Sequence, residues 1–195
     1  MLEISLDRNR EALLALLARE VDVEYFDHHF TGEIPAHPHL HLAIDTAAGI
    51  CTSLLVDRYL AGAYRAWAVV GAFGDDLPAE AAAVARTLGL EGASLQSLRD
   101  LGEGMNYNAY GDTEEDLLIP PGDLYERVHA YPDPLDFVRN EPLVIRRLQV
   151  ERLREASAVD QCTHDGRQAC GCAVEIDVLD DAARIGTWPL SSMMR

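Results

Sequence analysis

The strongest constraint on how this chain folds is the exchange of strand-like and helix-like segments over its first 77 residues. Leu2 to Ile4 reads as the end of a short strand. Ser5 or Asp7 then caps an amphipathic helix carrying Leu13, Leu14, Leu16 and Leu17. Val21 to Phe26 alternates apolar and acidic residues and is rich in β-branched and aromatic side chains, which predicts a second strand. A loop with Gly32, Pro35 and Pro38 leads to another strand-like piece, His41 to Ile44. Helical patterns follow from about Cys51 to Leu60 and from Arg65 to Phe73. Such alternation predicts an α/β fold, a mostly parallel sheet flanked by helices. Sheets of that kind bind ligands beyond the carboxyl ends of their strands, where Asp27 and Asp45 are expected.

Further along, the pattern is mainly helical. Helices are expected over 79–88, 94–101, 122–129, 134–139 and 142–155, broken by glycines and prolines. The stretch LGEGMNYNAYGDTEEDLLIPPG, from Leu101 to Gly122, reads as a long connection. Val174 to Val178 alternates again, as an edge strand does, giving a short terminal β segment. Three regions result: an α/β core over 1–77, a helical remainder and connector over 78–155, and a partial C-terminal segment over 156–195.

Charge narrows the range of partners. Acidic residues outnumber basic ones by 33 to 16, the net charge is −17, and every basic residue is arginine. Nucleic-acid grooves draw most of their affinity from cationic side chains meeting phosphates, so long DNA is disfavoured. The longest apolar run, Ala66 to Phe73, is far shorter than the roughly 18 residues of a membrane span. No basic stretch followed by an apolar one opens the chain, and its four cysteines are sparse and unevenly spaced. The expectation is a cytoplasmic protein without membrane contact.

Five of the seven histidines fall between Val23 and Asp45, and Asp27, His28 and His29 stand in a row directly after a predicted strand. An isolated histidine in a loop is most often a solvated side chain. Carboxylate and imidazole side by side at a strand end also form a donor set for divalent ions, one group as ligand and the other as its orienter. A second acidic centre, Asp75 and Asp76, follows Gly74 at the end of a buried helix. Acids there oppose the helix dipole, which points to another use for them.

The pieces VEYFDHHFTGE, IDTAAGICTSLLVDRYL and VVGAFGDD occur in that order over about the first 80 residues. Together they resemble the DHH family of phosphoesterases, which hydrolyse phosphoesters with bound divalent metal. The resemblance implies His28 and Asp75 as metal ligands and His29 as the catalytic residue facing the scissile phosphate. It implies that Asp27 touches the metal or orients His28. Glu3 stands where the family places an aspartate ligand, and Cys51-Thr52-Ser53 is similar to its small-residue helix start. Mn2+ or Mg2+ is the implied cofactor, with two ions in a complete member of the family. The family's upstream Asp-x-Asp segment has no counterpart before Glu3, so the α/β core is expected to be N-terminally incomplete; a glycine-rich GGGH-like motif is also missing. Two functions follow as expectations. One is a phosphoesterase acting on a small nucleotide or short oligonucleotide, as a monomer or an oligomer. The other is a non-catalytic or truncated DHH-like domain that binds nucleotide or a partner subunit.

Other motifs carry less. Cys162, His164, Cys170 and Cys172 supply zinc-type donors, but with single-residue spacings instead of the usual two to four. His37, His39 and His41 alternate beside prolines and read as loop residues. Arg58 and Arg65 are candidates for phosphate contact or plain solvated charges. GEGMNY lacks the strand before and helix after that a phosphate loop requires, and Ser53 lacks the glycines of a nucleophile elbow.

Overall fold

A computed structural model describes residues 1–111 and 113–149. The β-structure is narrower than the alternation predicts. Strand β1 (Val23–Asp27) pairs in parallel with β2 (Leu40–Ile44), in a register that sets Val23 opposite Leu40 and Asp27 opposite Ile44. On the other side of β1, the expected strand at Leu2 to Ile4 is reduced to one parallel bridge between Leu2 and Phe26. The Phe26 N–H donates to Met1 O, and the Glu3 N–H donates to Phe26 O. Glu3 has a φ of 55°, a left-handed conformation that breaks the pleat and stops the pairing there.

Helix α1 (Arg10–Leu17) covers one face of this sheet. Leu13 and Leu17, four residues apart on one stripe, bury against Leu6, Val23 and Tyr25, while Leu14 points outward. The helix starts later than Ser5 or Asp7 would set it. Asn9 holds the N-cap position, and its side-chain amide donates to Ser5 O across the preceding turn. Helix α2 (Thr52–Tyr59) meets the sheet on the Phe26 side, where Phe26 and Tyr59 pack edge to face. The Tyr59 hydroxyl donates to Glu24 Oε1 at 2.8 Å.

The rest is helical: α3 (Arg65–Gly74), α4 (Pro78–Thr87), α5 (Gly92–Tyr107), α6 (Pro121–His129), α7 (Pro134–Asn140) and a further helical stretch over 142–149. The described residues are therefore mixed α/β but mostly helical, and a mostly parallel sheet flanked by helices describes only a small layer of them. Buried residues from α2 through 142–149, among them Leu54, Val69, Ala81, Leu98, Phe137 and Leu148, form one apolar cluster that spans residue 77.

Helix α5 corrects the expectation for Leu101 to Gly122, because it continues through Gly102 and Gly104 to Tyr107. Those glycines serve as contact points. A Cβ on Gly102 would stand 2.2 Å from Val70 O, so α3 and α5 cross almost backbone to backbone. Beyond α5, Asn108 closes the loop to Ile119. Its amide donates to Ile119 O and accepts from Ile119 N, both at 2.9 Å, in a buried reciprocal pair. The expected terminal strand at Val174 and the cysteines at 162, 170 and 172 lie outside the described residues. No helix among the described residues is long and apolar enough to cross a membrane.

Candidate metal centre at the carboxyl edge of the sheet

Asp27 is the last residue of β1 and has no solvent exposure. Its Oδ1 accepts from the backbone N–H of His28 at 2.9 Å and of His29 at 3.3 Å. The His29 ring adds a third bond, from Nδ1 to the same oxygen at 2.7 Å. A carboxylate only accepts, so Nδ1 carries the proton and Nε2 of the neutral His29 ring is left as an acceptor. Asp27 thus orients the ring of His29. Its second oxygen, Oδ2, is buried without a partner.

His28 is held differently. Its Nδ1 lies 3.0 Å from the carbonyl of Ile50, in the turn just before α2. A carbonyl also only accepts, so this bond takes the single N–H of a neutral imidazole. Nε2 then faces Glu3 Oε1 at 2.9 Å and Asp75 Oδ2 at 3.8 Å. Two acceptors this close need a proton or a cation to reconcile them. Donor atoms on adjacent vertices around an ion, with bonds of about 2.1 Å, stand roughly 3 Å apart, which is the spacing of His28 Nε2 from Glu3 Oε1, while Asp75 Oδ2 stands farther off at 3.8 Å. A backbone carbonyl fixing the far nitrogen is the usual outer support of a metal-bound histidine. The donor set therefore fits a divalent cation that takes nitrogen and oxygen ligands together.

Glu3, His28 and His29 each bring a ligand atom within 4.8 Å of the others. The left-handed backbone at Glu3, which ends the bridge to β1, places its carboxylate against His28. Asp75 arrives from the far side as the C-cap of α3. Burial raises the Asp75 carboxyl above its ordinary pKa, His28 opposes that shift, and Glu3 adds to it. Removing carboxylates from water and crowding them makes their charge costly unless a cation is shared.

Other expected groups lie apart from this centre. Asp45 follows β2 at the same edge, but its carboxylate accepts from Ala47 N and faces Arg58 at 3.8 Å. Arg65 pairs with the buried Asp57 at 3.1 Å. Both arginines considered for phosphate contact are thus matched to carboxylates. His39 bonds Asp22 near the opposite, amino-terminal end of the strands, with His37 beside it. The Ile50 carbonyl left no trace in the sequence, because a backbone acceptor has no residue signature.

A cavity of about 550 Å³ opens beside the centre between α2, α3 and α5, with Glu3, Thr52, Ser53, Trp67, Asp75 and Asn106 in its wall. Comparison of the chain with protein-family models, with curated proteins and with solved structures gave no match.

Proposed function

We propose that this protein is a DHH-type, metal-dependent phosphoesterase that hydrolyses a phosphoester in a small nucleotide or short oligonucleotide. One observation carries the reading: His28 Nε2, its ring fixed through Nδ1 on Ile50 O, faces the carboxylates of Glu3 and Asp75. His28, Glu3 and Asp75 would hold Mn2+ or Mg2+. Such an ion, when bound, supplies a Lewis acid for a phosphoryl oxygen and lowers the pKa of a coordinated water.

The remaining chemistry belongs to the chain. His29, half exposed beside the ligands, would hold a proton on Nε2 at the phosphoryl group or the leaving oxygen. Asp27 fixes the tautomer that makes this possible and stabilises the imidazolium once the ring is protonated. The acidic surface favours a small substrate over long nucleic acid.

The test is Mn2+ titration by calorimetry on the wild type, His28→Ala and Asp75→Ala, with a bis-nitrophenyl phosphate assay alongside. The expected result is binding and turnover in the wild type and loss of both in each variant. Mn2+ affinity that is the same in all three proteins removes the centre, and the phosphoesterase reading with it.

A further inference from the structure

The cavity beside the candidate centre changes character along its length. At one end its wall holds Glu3 and Asp75, the two carboxylates that face His28. Elsewhere the partly buried side chains of Val56, Leu60, Trp67 and Met105 line it. The Trp67 ring is held firmly in place. Its Nε1 donates to Tyr131 O at 2.9 Å, and it packs against Phe137 with ring centroids 6.0 Å apart.

Charge is distributed unevenly too. Among the described residues no arginine or histidine lines the cavity, and the chain has no lysine. The third carboxylate in the wall, Asp57, is 8% exposed and already paired with Arg65 at 3.1 Å. A phosphate placed away from the metal centre would leave water for an apolar wall with no cation to meet it, which is costly. Sites for small organic molecules are mainly apolar clefts of about 300–1,000 Å³ with a few polar groups, and the volume here, about 550 Å³, falls within that range.

We propose that this cavity seats the organic part of the phosphoester, an uncharged ring of aryl or nucleobase size, while the single phosphate stays at the Glu3–His28–Asp75 centre. The proposal rests on the phosphoesterase reading and narrows its substrate, because an oligonucleotide would carry a further phosphate into the cavity with each nucleotide. Two aromatic side chains in the wall, Tyr64 and Trp67, favour a flat ring over an alkyl chain.

The experiment measures the binding of three non-hydrolysable probes by calorimetry, with and without saturating Mg2+. They are methylphosphonate, phenylphosphonate and 4-carboxyphenylphosphonate, the last keeping the ring and adding an anion. Trp67 reports by fluorescence in a Trp188→Phe protein, where it is the only tryptophan. With Mg2+, phenylphosphonate is expected to bind at least about tenfold tighter than methylphosphonate and to change the Trp67 emission. The added carboxylate is expected to weaken the ring probe about tenfold. Met105→Arg sets a cation in the wall on a long stem, and is expected to reverse the order of the two ring probes while Mg2+ affinity stays unchanged. The three-probe comparison does not depend on that variant folding. Equal affinity for methylphosphonate and phenylphosphonate, or an unmoved Trp67 emission, overturns the cavity assignment and leaves the metal centre standing. Equal affinity for the two ring probes likewise overturns the uncharged ring. Ring-dependent binding that needs no Mg2+ keeps the cavity and refutes the metal-dependent reading, and binding of none of the three overturns both.

Discussion

Gly102→Ala is the substitution with the clearest consequence. A Cβ there would lie 2.2 Å from Val70 O and 3.0 Å from both Gly74 N and the Phe73 Cβ. Ordinary contact begins at 3.4 Å, so α3 and α5 must separate by about 1 Å. The nearest obstacle is a backbone carbonyl, which cannot swing aside as the tip of a flexible side chain can. Overpacking of this kind costs about 1–3 kcal/mol, and a fixed obstacle puts it at the upper end. Alanine returns up to about 1 kcal/mol through its better helix propensity. The net loss is about 2 kcal/mol, which for a chain of this size lowers Tm by roughly 4–8 °C. Gly122 in α6 is the control, because nothing lies within 4 Å of a Cβ there. Gly122→Ala should leave Tm unchanged or raise it by a few degrees, about 1 kcal/mol at most. Thermal melts followed by circular dichroism compare the two. The effect also reaches the candidate centre, since α3 ends at Asp75, and Mn2+ affinity should weaken in Gly102→Ala and not in Gly122→Ala. A Gly102→Ala protein that melts within about 1 °C of wild type would refute the close crossing of α3 and α5.

Asn108→Ala removes both bonds to Ile119 and strands a buried N–H and C=O, a loss of about 2–4 kcal/mol in urea unfolding; a loss below about 0.5 kcal/mol would show that the pair does not hold the loop. Tyr25 is fully buried, its hydroxyl donates to Ile4 O at 2.5 Å, and burial, then the Asp27 charge, push its pKa from 10.0 up to about 12. Because the folded-state value lies above the unfolded one, this stabilisation is complete below pH 10 and lost as the pH rises toward about 12. Absorbance titration at alkaline pH should show a late-ionising tyrosine component in the wild type that shrinks by one tyrosine in Tyr25→Phe. Identical titrations, apart from one fewer ordinary tyrosine, would contradict the assignment.

The helices were largely legible before the fold was known. Cys51 to Leu60, Arg65 to Phe73 and the segments opened by Pro78, Pro121 and Pro134 carry apolar spacing and proline punctuation, both local signals that survive in the tertiary structure. The glycines at 102 and 104 misled for a physical reason. Glycine weakens a helix in isolation, but inside α5 it permits the close crossing of α3, and packing outweighs propensity. The width of the sheet was equally illegible, because it depends on the left-handed turn at Glu3 ending one strand after a single bridge.

For the candidate centre, the sequence by itself determined the types and order of its groups: a carboxylate and two histidines after a strand, and another carboxylate after a helix. Only the tertiary structure decided their division of labour. Asp27 turned inward and took the ring of His29, while the ring of His28 was held by a carbonyl 22 residues away. A side chain's identity is written in the sequence. The partner that orients it is chosen by which backbone atoms the fold brings within hydrogen-bond reach, and any residue there can supply a carbonyl.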